Sequence, residues 1–336
     1  MIVWWLLFAV FAVSWGLTLV LRRYALAKSL MDIPNERSSH TVPTPRGGGV
    51  AIVAAFLVAL PMLTGLGLLD TSALYALLGS GLLVAVIGFI DDHGHIPARW
   101  RLLGHFIAAA WALFWLEGLP PIEFFGIAVD LGWFGSILAA VYLVWMLNLY
   151  NFMDGIDGLA SAEAISVCLA ICVVYWVSGC VELVWGALIL VAAVAGFLFW
   201  NFPPARIFMG DAGSGFLGVV LGALAIQAAW TEPQLLWSWL ILLGVFIVDA
   251  TWTLFVRLFR GEKIYQAHRS HAYQLASKHF KSHKVITLSI VAINIGWLMP
   301  WALWVGVGGS WLIGIVVAYV PLCLMAWKMS AGKTEY

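Results

Sequence analysis

The sequence predicts an all-α, polytopic integral membrane protein of about eleven transmembrane helices, with its N-terminus outside and its C-terminus cytoplasmic. Three observations carry that expectation. Of the 336 residues, 63% are hydrophobic and only 10% are charged, whereas a soluble domain carries about 25% charged residues. The apolar residues gather into eleven runs, close to the roughly 20 residues that a helix needs to cross a bilayer. Between the runs, all seventeen Lys and Arg residues fall on alternate connections.

The first run, 3–21, is followed by Arg22-Arg23. A secretory leader carries its positive charge before the apolar stretch, so this run reads as a retained first span. The remaining spans are expected at 48–69, 72–90, 102–117, 133–150, 161–178, 183–201, 215–230, 235–256, 285–306 and 310–327. Those at 102–117 and 215–230 are short enough to be tilted or broken. Starting outside and alternating, the inside segments are 22–47, 91–101, 151–160, 202–214, 257–284 and 328–336. Every Lys and Arg lies in them or at their edges, as the retention of cationic loops on the cytoplasmic side demands. The outside ends carry acids (Asp70, Glu117, Glu123, Asp130, Glu182, Glu232) and tryptophans such as Trp115, Trp185, Trp237 and Trp311, as an interfacial belt does.

Zero net charge argues against a nucleic-acid partner. The four cysteines, Cys168, Cys172, Cys180 and Cys323, show no CxxC or ligand-like spacing and read as small apolar residues within helices.

The aspartates are what orientation leaves unexplained. Asp91-Asp92, Asp154 with Asp157, and Asp211 each stand where an apolar run stops, all on the predicted cytoplasmic side. Ionisable groups near hydrocarbon are functional candidates. Adjacent Asp91 and Asp92 repel and call for a cation or a basic partner; Arg99 and Arg101 follow in the same loop and can hold a phosphate. In Asn148-x-x-Asn151-x-x-Asp154-x-x-Asp157, three-residue spacing keeps four oxygen-bearing side chains near one helical face, suited to Mg²⁺ or a ribose-uracil pair. Gly155 and Gly158 then let a ligand approach the backbone. Phe208-Met-Gly-Asp211-Ala-Gly-Ser214 opens a helix, whose free N–H groups favour anions; Ser214 also suits a plain N-cap.

The first cytoplasmic loop holds Asp32, Asn35, Arg37, His40 and Thr44-Pro-Arg46-Gly-Gly-Gly49, where Arg46 can contact phosphate and the glycines permit close approach or a tight turn. In the last loop, His268-Arg269-Ser-His271 lacks the Cys or HExxH company of a zinc site and reads as phosphate or sugar contacts, with Tyr273 and Gln274 as further donors. His279, His283 and the flanking lysines read as a solvated, headgroup-facing surface. Asp249, two turns inside a span, is left between pairing with an Arg such as Arg257 and lining the site.

Taken together, TPRGGG at 44–49, DD at 91–92, NLYNFMDGIDGL at 148–159, FMGDAGS at 208–214 and HRSH at 268–271 resemble the polyprenyl-phosphate N-acetylhexosamine-1-phosphate transferases, glycosyltransferase family 4. HRSHAYQ and DIPNERSSH look most like the bacterial O-antigen initiating branch. The peptidoglycan branch carries a histidine run that this chain lacks, so phospho-MurNAc-pentapeptide is not the expected substrate. The resemblance implies one transmembrane catalytic domain over 1–336, in the bacterial inner membrane with its active site on the cytoplasmic face. It implies transfer of N-acetylhexosamine-1-phosphate from a UDP-sugar to undecaprenyl phosphate, releasing UMP. It assigns Mg²⁺, with Mn²⁺ as the alternative ion, to Asp211 and Asn151. Asp91, Asp92, Asp154, Asp157 and Asp211 would be catalytic. Asn148, Asn151, Phe208, His268, Arg269 and His271 would bind the nucleotide-sugar, and Arg46, Arg99 and Arg101 the lipid phosphate. GlcNAc, QuiNAc and FucNAc all stay open as the sugar, as do a homodimer and a covalent phospho-aspartate route beside direct attack. A secondary transporter is the rival class, but its sites tend to lie at the bilayer midplane between repeated halves, and these clusters lie at span ends without a repeat.

Overall fold

In hydrocarbon a backbone has no water to bond, so each apolar run must satisfy its own N–H and C=O groups, which a single segment achieves as an α-helix. The computed structural model describes residues 2–34, 42–94, 96–124, 127–262 and 268–333; Asn35, Arg37, His40 and Lys263 lie outside the described residues. Its helices are α1 (Ile2–Ala27), α2 (Gly49–Gly65), α3 (Thr71–Gly94), α4 (Ala98–Trp115), α5 (Gly132–Met153), α6 (Leu159–Ser178), α7 (Val184–Asn201), α8 (Asp211–Thr231), α9 (Gln234–Leu242), α10 (Gly244–Phe259), α11 (Ala272–Phe280), α12 (His283–Ile293), α13 (Met299–Gly306) and α14 (Trp311–Lys328). A π-helical turn, Asn294–Leu298, runs α12 into α13. Strands are confined to two small antiparallel ribbons, β1 (Met31–Asp32) with β2 (Thr44–Pro45) and β3 (Ile122–Phe124) with β4 (Ile127–Val129).

Each of the eleven expected spans coincides with a helical segment, and the chain is an all-α polytopic membrane protein. Among the described residues, eight helical segments are long and apolar enough to cross a membrane. The expected span 235–256 is not one helix: α9 and α10 meet at an angle of 70°. Two further expected spans fall outside the count, α2 because it has 17 residues and α4 because Arg99, Arg101 and His105 dilute its apolar character. The run expected at 215–230 is longer than drawn, since α8 starts at Asp211 and has 21 residues.

α8 is the central helix, with 94% of its apolar stretch buried, and it packs on α3 and α5. Gly218 makes the α5 contact possible: a Cβ there would stand 2.5 Å from the Met146 carbonyl oxygen. The four cysteines are free; Cys168 and Cys172 lie in α6 and Cys323 in α14, whereas Cys180, read as helical, lies in the turn after α6 that Gly179 opens.

The connections sort into two ends. At one, Phe208 N–H donates to Pro45 O (2.7 Å), Gly48 N–H to Phe208 O (2.9 Å) and Gly49 N–H to Met209 O (2.9 Å), while the Tyr273 hydroxyl donates to Phe152 O (2.9 Å). At the other, Trp230 Nε1 donates to Gly118 O (3.2 Å), Trp311 Nε1 donates to Glu123 O (3.0 Å), and Trp237 stacks on Trp311 at 4.1 Å. This is the sorting that the charge alternation requires. The Gly-rich segment 47–49 therefore approaches protein backbone: a Cβ on Gly49 would lie 2.5 Å from Gly213 Cα.

Candidate active site

The site forms where α3 and α5 end and α8 begins. α8 has Gly210 at its N-cap, with no side chain to satisfy the first N–H groups. Asp92, at the end of α3 and 9% exposed, fills that place. Its Oδ1 accepts from Asp211 N–H (3.2 Å) and its Oδ2 from Ala212 N–H (3.4 Å). Two orphan donors gain an anionic acceptor at the positive end of the helix dipole. The Arg46 guanidinium in turn donates to the Asp92 carbonyl. Asp91 faces another way: it is ion-paired with Arg101 and accepts Ile96 N–H at 2.6 Å. Arg101 also lies 3.8 Å from Asp211 Oδ2, so it joins the aspartate pair to α8.

α5 delivers the second cluster. Asn151 Nδ2 donates to Ser214 Oγ (3.2 Å), whereas Asn148 Nδ2 is spent on Val144 O one turn back (2.7 Å). Asp154 is the first residue beyond the helix. Asp157 Oδ2 accepts Ala205 N–H (3.0 Å), and its Oδ1 lies 3.1 Å from His283 Nδ1. Gly158 then adopts φ +72°, a left-handed conformation that glycine takes without strain, and α6 starts. Its N–H is held by Asn201 Oδ1 (3.0 Å), and Asn201 Nδ2 donates to Ile207 O (2.9 Å).

These ends enclose a cavity of about 270 Å³ lined by Asp92, Asn151, Asp154, Asp157, Phe208 and Asp211, to which Asp32, Arg46, Gln274 and His283 are added from other segments. A second cleft of about 470 Å³ shares Asp157, Phe208 and His283 and adds Lys281 and Lys284. Arg101, His105 and Asn148 line a small cleft of about 20 Å³ against Asp211 and Asn151. The structure thus brings four of the five predicted aspartates to one cavity, with Asp91 held behind it by Arg101. Arg99 is apart, its guanidinium 5.7 Å from the Trp100 ring.

His268, Arg269 and His271 do not line the cavity. His271 is buried, 3.2 Å from Asp249 Oδ1, and Asp249 also accepts Ala272 N–H and Tyr273 N–H, both at 2.9 Å. Asp249 therefore caps α11, the role that the sequence left open. His268 stacks on His271 at 4.9 Å; burial, with His271 and Arg257 nearby, lowers its pKa to about 3. From this segment Gln274 reaches the cavity.

Burial and the carboxylates of Asp211, Asp92 and Asp157 hold the Asp154 carboxyl well above its ordinary range. Such crowding is what a divalent cation relieves. Among the described residues no three His, Cys, Asp or Glu side chains form a ready metal cage. The donor set, a carboxylate and an amide beside a polar cavity, fits Mg²⁺, which takes one or two protein ligands and fills its octahedron with water and substrate phosphate.

His283 and Asn201 are the residues that sequence reasoning missed. His283 was expected on a solvated surface, but it lines the cavity against Asp157, 126 positions away. Nothing local announces that pairing. Asn201 carried a readable signal, an amide at the end of an otherwise apolar helix, now 3% exposed.

Residues 74–229 match the description Glycosyl transferase family 4. The chain is 32% identical, over 93% of its length and 85% of the relative's, to a decaprenyl-phosphate N-acetylglucosaminephosphotransferase of Mycolicibacterium smegmatis. The chain belongs to the polyprenyl-phosphate hexosamine-1-phosphate transferase family. It is also 28% identical to a probable undecaprenyl-phosphate N-acetylglucosaminyl 1-phosphate transferase of Bacillus subtilis, over 83% of this chain and 78% of that one. A phospho-N-acetylmuramoyl-pentapeptide-transferase of Geobacillus kaustophilus is 29% identical over 94% and 97%. The matched region of this transferase runs from the first turn of α3 to the last turn of α8 and includes Asp92, Asn151, Asp154, Asp157, Phe208 and Asp211 of the cavity.

Proposed function

We propose that this family member transfers N-acetylhexosamine-1-phosphate from a UDP-sugar to undecaprenyl phosphate at the cytoplasmic face of a bacterial inner membrane, starting an O-antigen-type surface polysaccharide. The observation that carries this reading is the convergence of Asp92, Asp154, Asp157, Asp211 and Asn151 on one cavity at helix ends. That end of the bundle also gathers the basic connections, which supports its cytoplasmic orientation. A lipid acceptor and a cytosolic nucleotide meet only at such an interface.

Asp211 and Asn151 would hold Mg²⁺. When bound, it neutralises the diphosphate and the charge developing on the leaving UMP. Phe208 offers a ring at the junction of the two clefts for the uracil, and Asp157 and Asp154 orient the nucleotide. The acceptor phosphate has a second pKa near 6, so at neutral pH it is largely dianionic and needs little help from a base. Its oxygen attacks the β-phosphorus, a new P–O bond forms, and the bond to the α-phosphate oxygen breaks. Arg101 and Arg46 supply positive charge beside this route, and Arg101 keeps Asp91 next to Asp211. Direct in-line attack suits this set better than an aspartyl intermediate, because Asp92 is engaged as a cap and Asp91 by Arg101.

The test is a donor panel given to detergent-purified protein with undecaprenyl phosphate, with and without Mg²⁺. UDP-GlcNAc, UDP-QuiNAc, UDP-FucNAc and UDP-MurNAc-pentapeptide are compared by UMP release. Lipid- and Mg²⁺-dependent UMP from one of the first three supports the reading. A preference for the pentapeptide donor overturns the O-antigen assignment.

A further inference from the structure

The transferase reading makes no use of Glu163, a carboxyl in the second turn of α6 that is 0% exposed. Its Oε2 accepts from Asn294 Nδ2 at 2.6 Å, and the same nitrogen donates to Ser166 Oγ at 2.9 Å. Both amide hydrogens are thereby used. Two acceptors in the pair, Glu163 Oε1 and Asn294 Oδ1, are buried with no donor among the described residues. A carboxylate can only accept; a carboxylic acid brings one O–H. No Lys or Arg occurs in α6, and the basic residues of the opposing segment, His283 and Lys284, stand at its far end. Among the described residues, Tyr150 of α5 is the titratable group near enough to sense a charge on Glu163. A charged Glu163 would have no cationic partner among the described residues, at high cost in a low-dielectric interior.

We infer that Glu163 is a neutral acid joined to Asn294 by a two-way acid–amide hydrogen bond, and that this pair positions Asp157 in the active site. The proton on Oε1 serves the acceptor-only oxygens, with Asn294 Oδ1 as its partner. Asn294 opens the π-helical turn, a departure from regular helix that often marks functional positions.

The link to Asp157 is structural. α6 starts two residues after Asp157, and the helix that ends at Asn294 begins with His283, which is 3.1 Å from Asp157 Oδ1. Thr287 of that helix donates to the Asp157 carbonyl at 3.0 Å. The two helices that flank Asp157 thus meet at Asp157 itself and again, deeper in the bundle, at Glu163–Asn294. Releasing the deeper clamp frees α12 to carry His283 away from the carboxylate.

The positioning claim rests on the transferase reading; the protonation claim does not, and infrared spectroscopy tests it without turnover. In the wild type at neutral pH, a protonated-carboxyl C=O component is expected that is missing from the Glu163→Gln spectrum and is retained in Asp154→Asn. Absence of that component in the wild type means that Glu163 is charged and overturns the pairing. For positioning, Glu163→Gln keeps a neutral donor–acceptor pair and should turn over within about threefold of wild type, while Glu163→Ala should lose about tenfold in kcat. Because both act through Asp157, Glu163→Ala and His283→Ala should combine to less than the product of their separate losses. Independent, multiplying losses overturn positioning, as does failure of both Glu163→Ala and Asn294→Ala to fold while Glu163→Gln stays normal, which makes the pair structural only. A wild type that releases no UMP refutes the transferase reading and leaves the infrared result standing.

Discussion

Asp249 offers a sharp test of how the 268–274 segment is held. Its carboxylate, 6% exposed, accepts two backbone N–H groups at 2.9 Å from the start of α11, and Thr253 Oγ1 and His271 Nδ1 each lie 3.2 Å away. Asp249→Ala removes all four contacts. Loss of a helix cap costs about 1–2 kcal/mol, and leaving buried donors unsatisfied adds about 1–3 kcal/mol, so a loss near 3 kcal/mol is expected. That lowers the melting temperature by about 5–10 °C, taking a few degrees per kcal/mol for a chain of this size. Asp249→Asn keeps one acceptor oxygen and should lose about half as much. Function should follow the same geometry. Tyr273 ties α11 to the end of α5 through Phe152 O, and Gln274 forms part of the cavity wall. Donor KM should therefore rise about tenfold, with a smaller change in kcat, since uniform binding is what loosens. The assays are thermal unfolding in detergent and UMP release against donor concentration. Unchanged melting and KM in Asp249→Ala would refute the capping role; abolished turnover with unchanged melting would mean that Asp249 takes part in the chemistry.

The remaining predictions follow from the same contacts. Asp211→Asn should abolish turnover while the protein still folds, and near-normal UMP release would refute its metal role. Gly49→Val should destabilise the protein by at least about 2 kcal/mol, because the new side chain meets the Gly213 backbone; unchanged melting would show that the segment can move away. Since the folded pKa of His268 is about 3 against an ordinary 6.5, the unfolded chain binds the extra proton between these values and stability falls as pH drops through that window. His268→Gln should narrow the difference in melting temperature between pH 7 and pH 5, and an unchanged difference would argue against a neutral buried His268.

Much of this arrangement was legible in the chain because its strongest signals are local. Apolar run length and the alternation of basic connections mark the helices and their two ends. The three aspartate clusters each lie at the end of a run, so parity placed them on one side of the membrane, while their meeting in one cavity comes from the packing of α3, α5 and α8. The parts that escaped depend on contacts between distant segments. The bend between α9 and α10 leaves the apolar pattern unbroken, so 235–256 read as one span. Asp92 read only as half of a repelling pair; its hydrogen bonds to the start of α8 arise because the N-cap there is Gly210, which has no side chain and needs an acceptor from outside. The same logic applies to Asp249 and α11, whose N-cap, His271, is itself bound to that carboxylate. His283 looked like surface because its neighbours are lysines, while its partner Asp157 belongs to another loop.

The central claim, transfer of the sugar together with its phosphate, is tested most directly with a UDP-N-acetylhexosamine carrying ³²P in the β-phosphate. Incubated with undecaprenyl phosphate and the wild-type protein, the label should pass into the organic-extractable lipid, with one unlabelled UMP released for each labelled lipid. Label remaining in UDP while the sugar moves to lipid, or no labelled lipid from any donor, would contradict it.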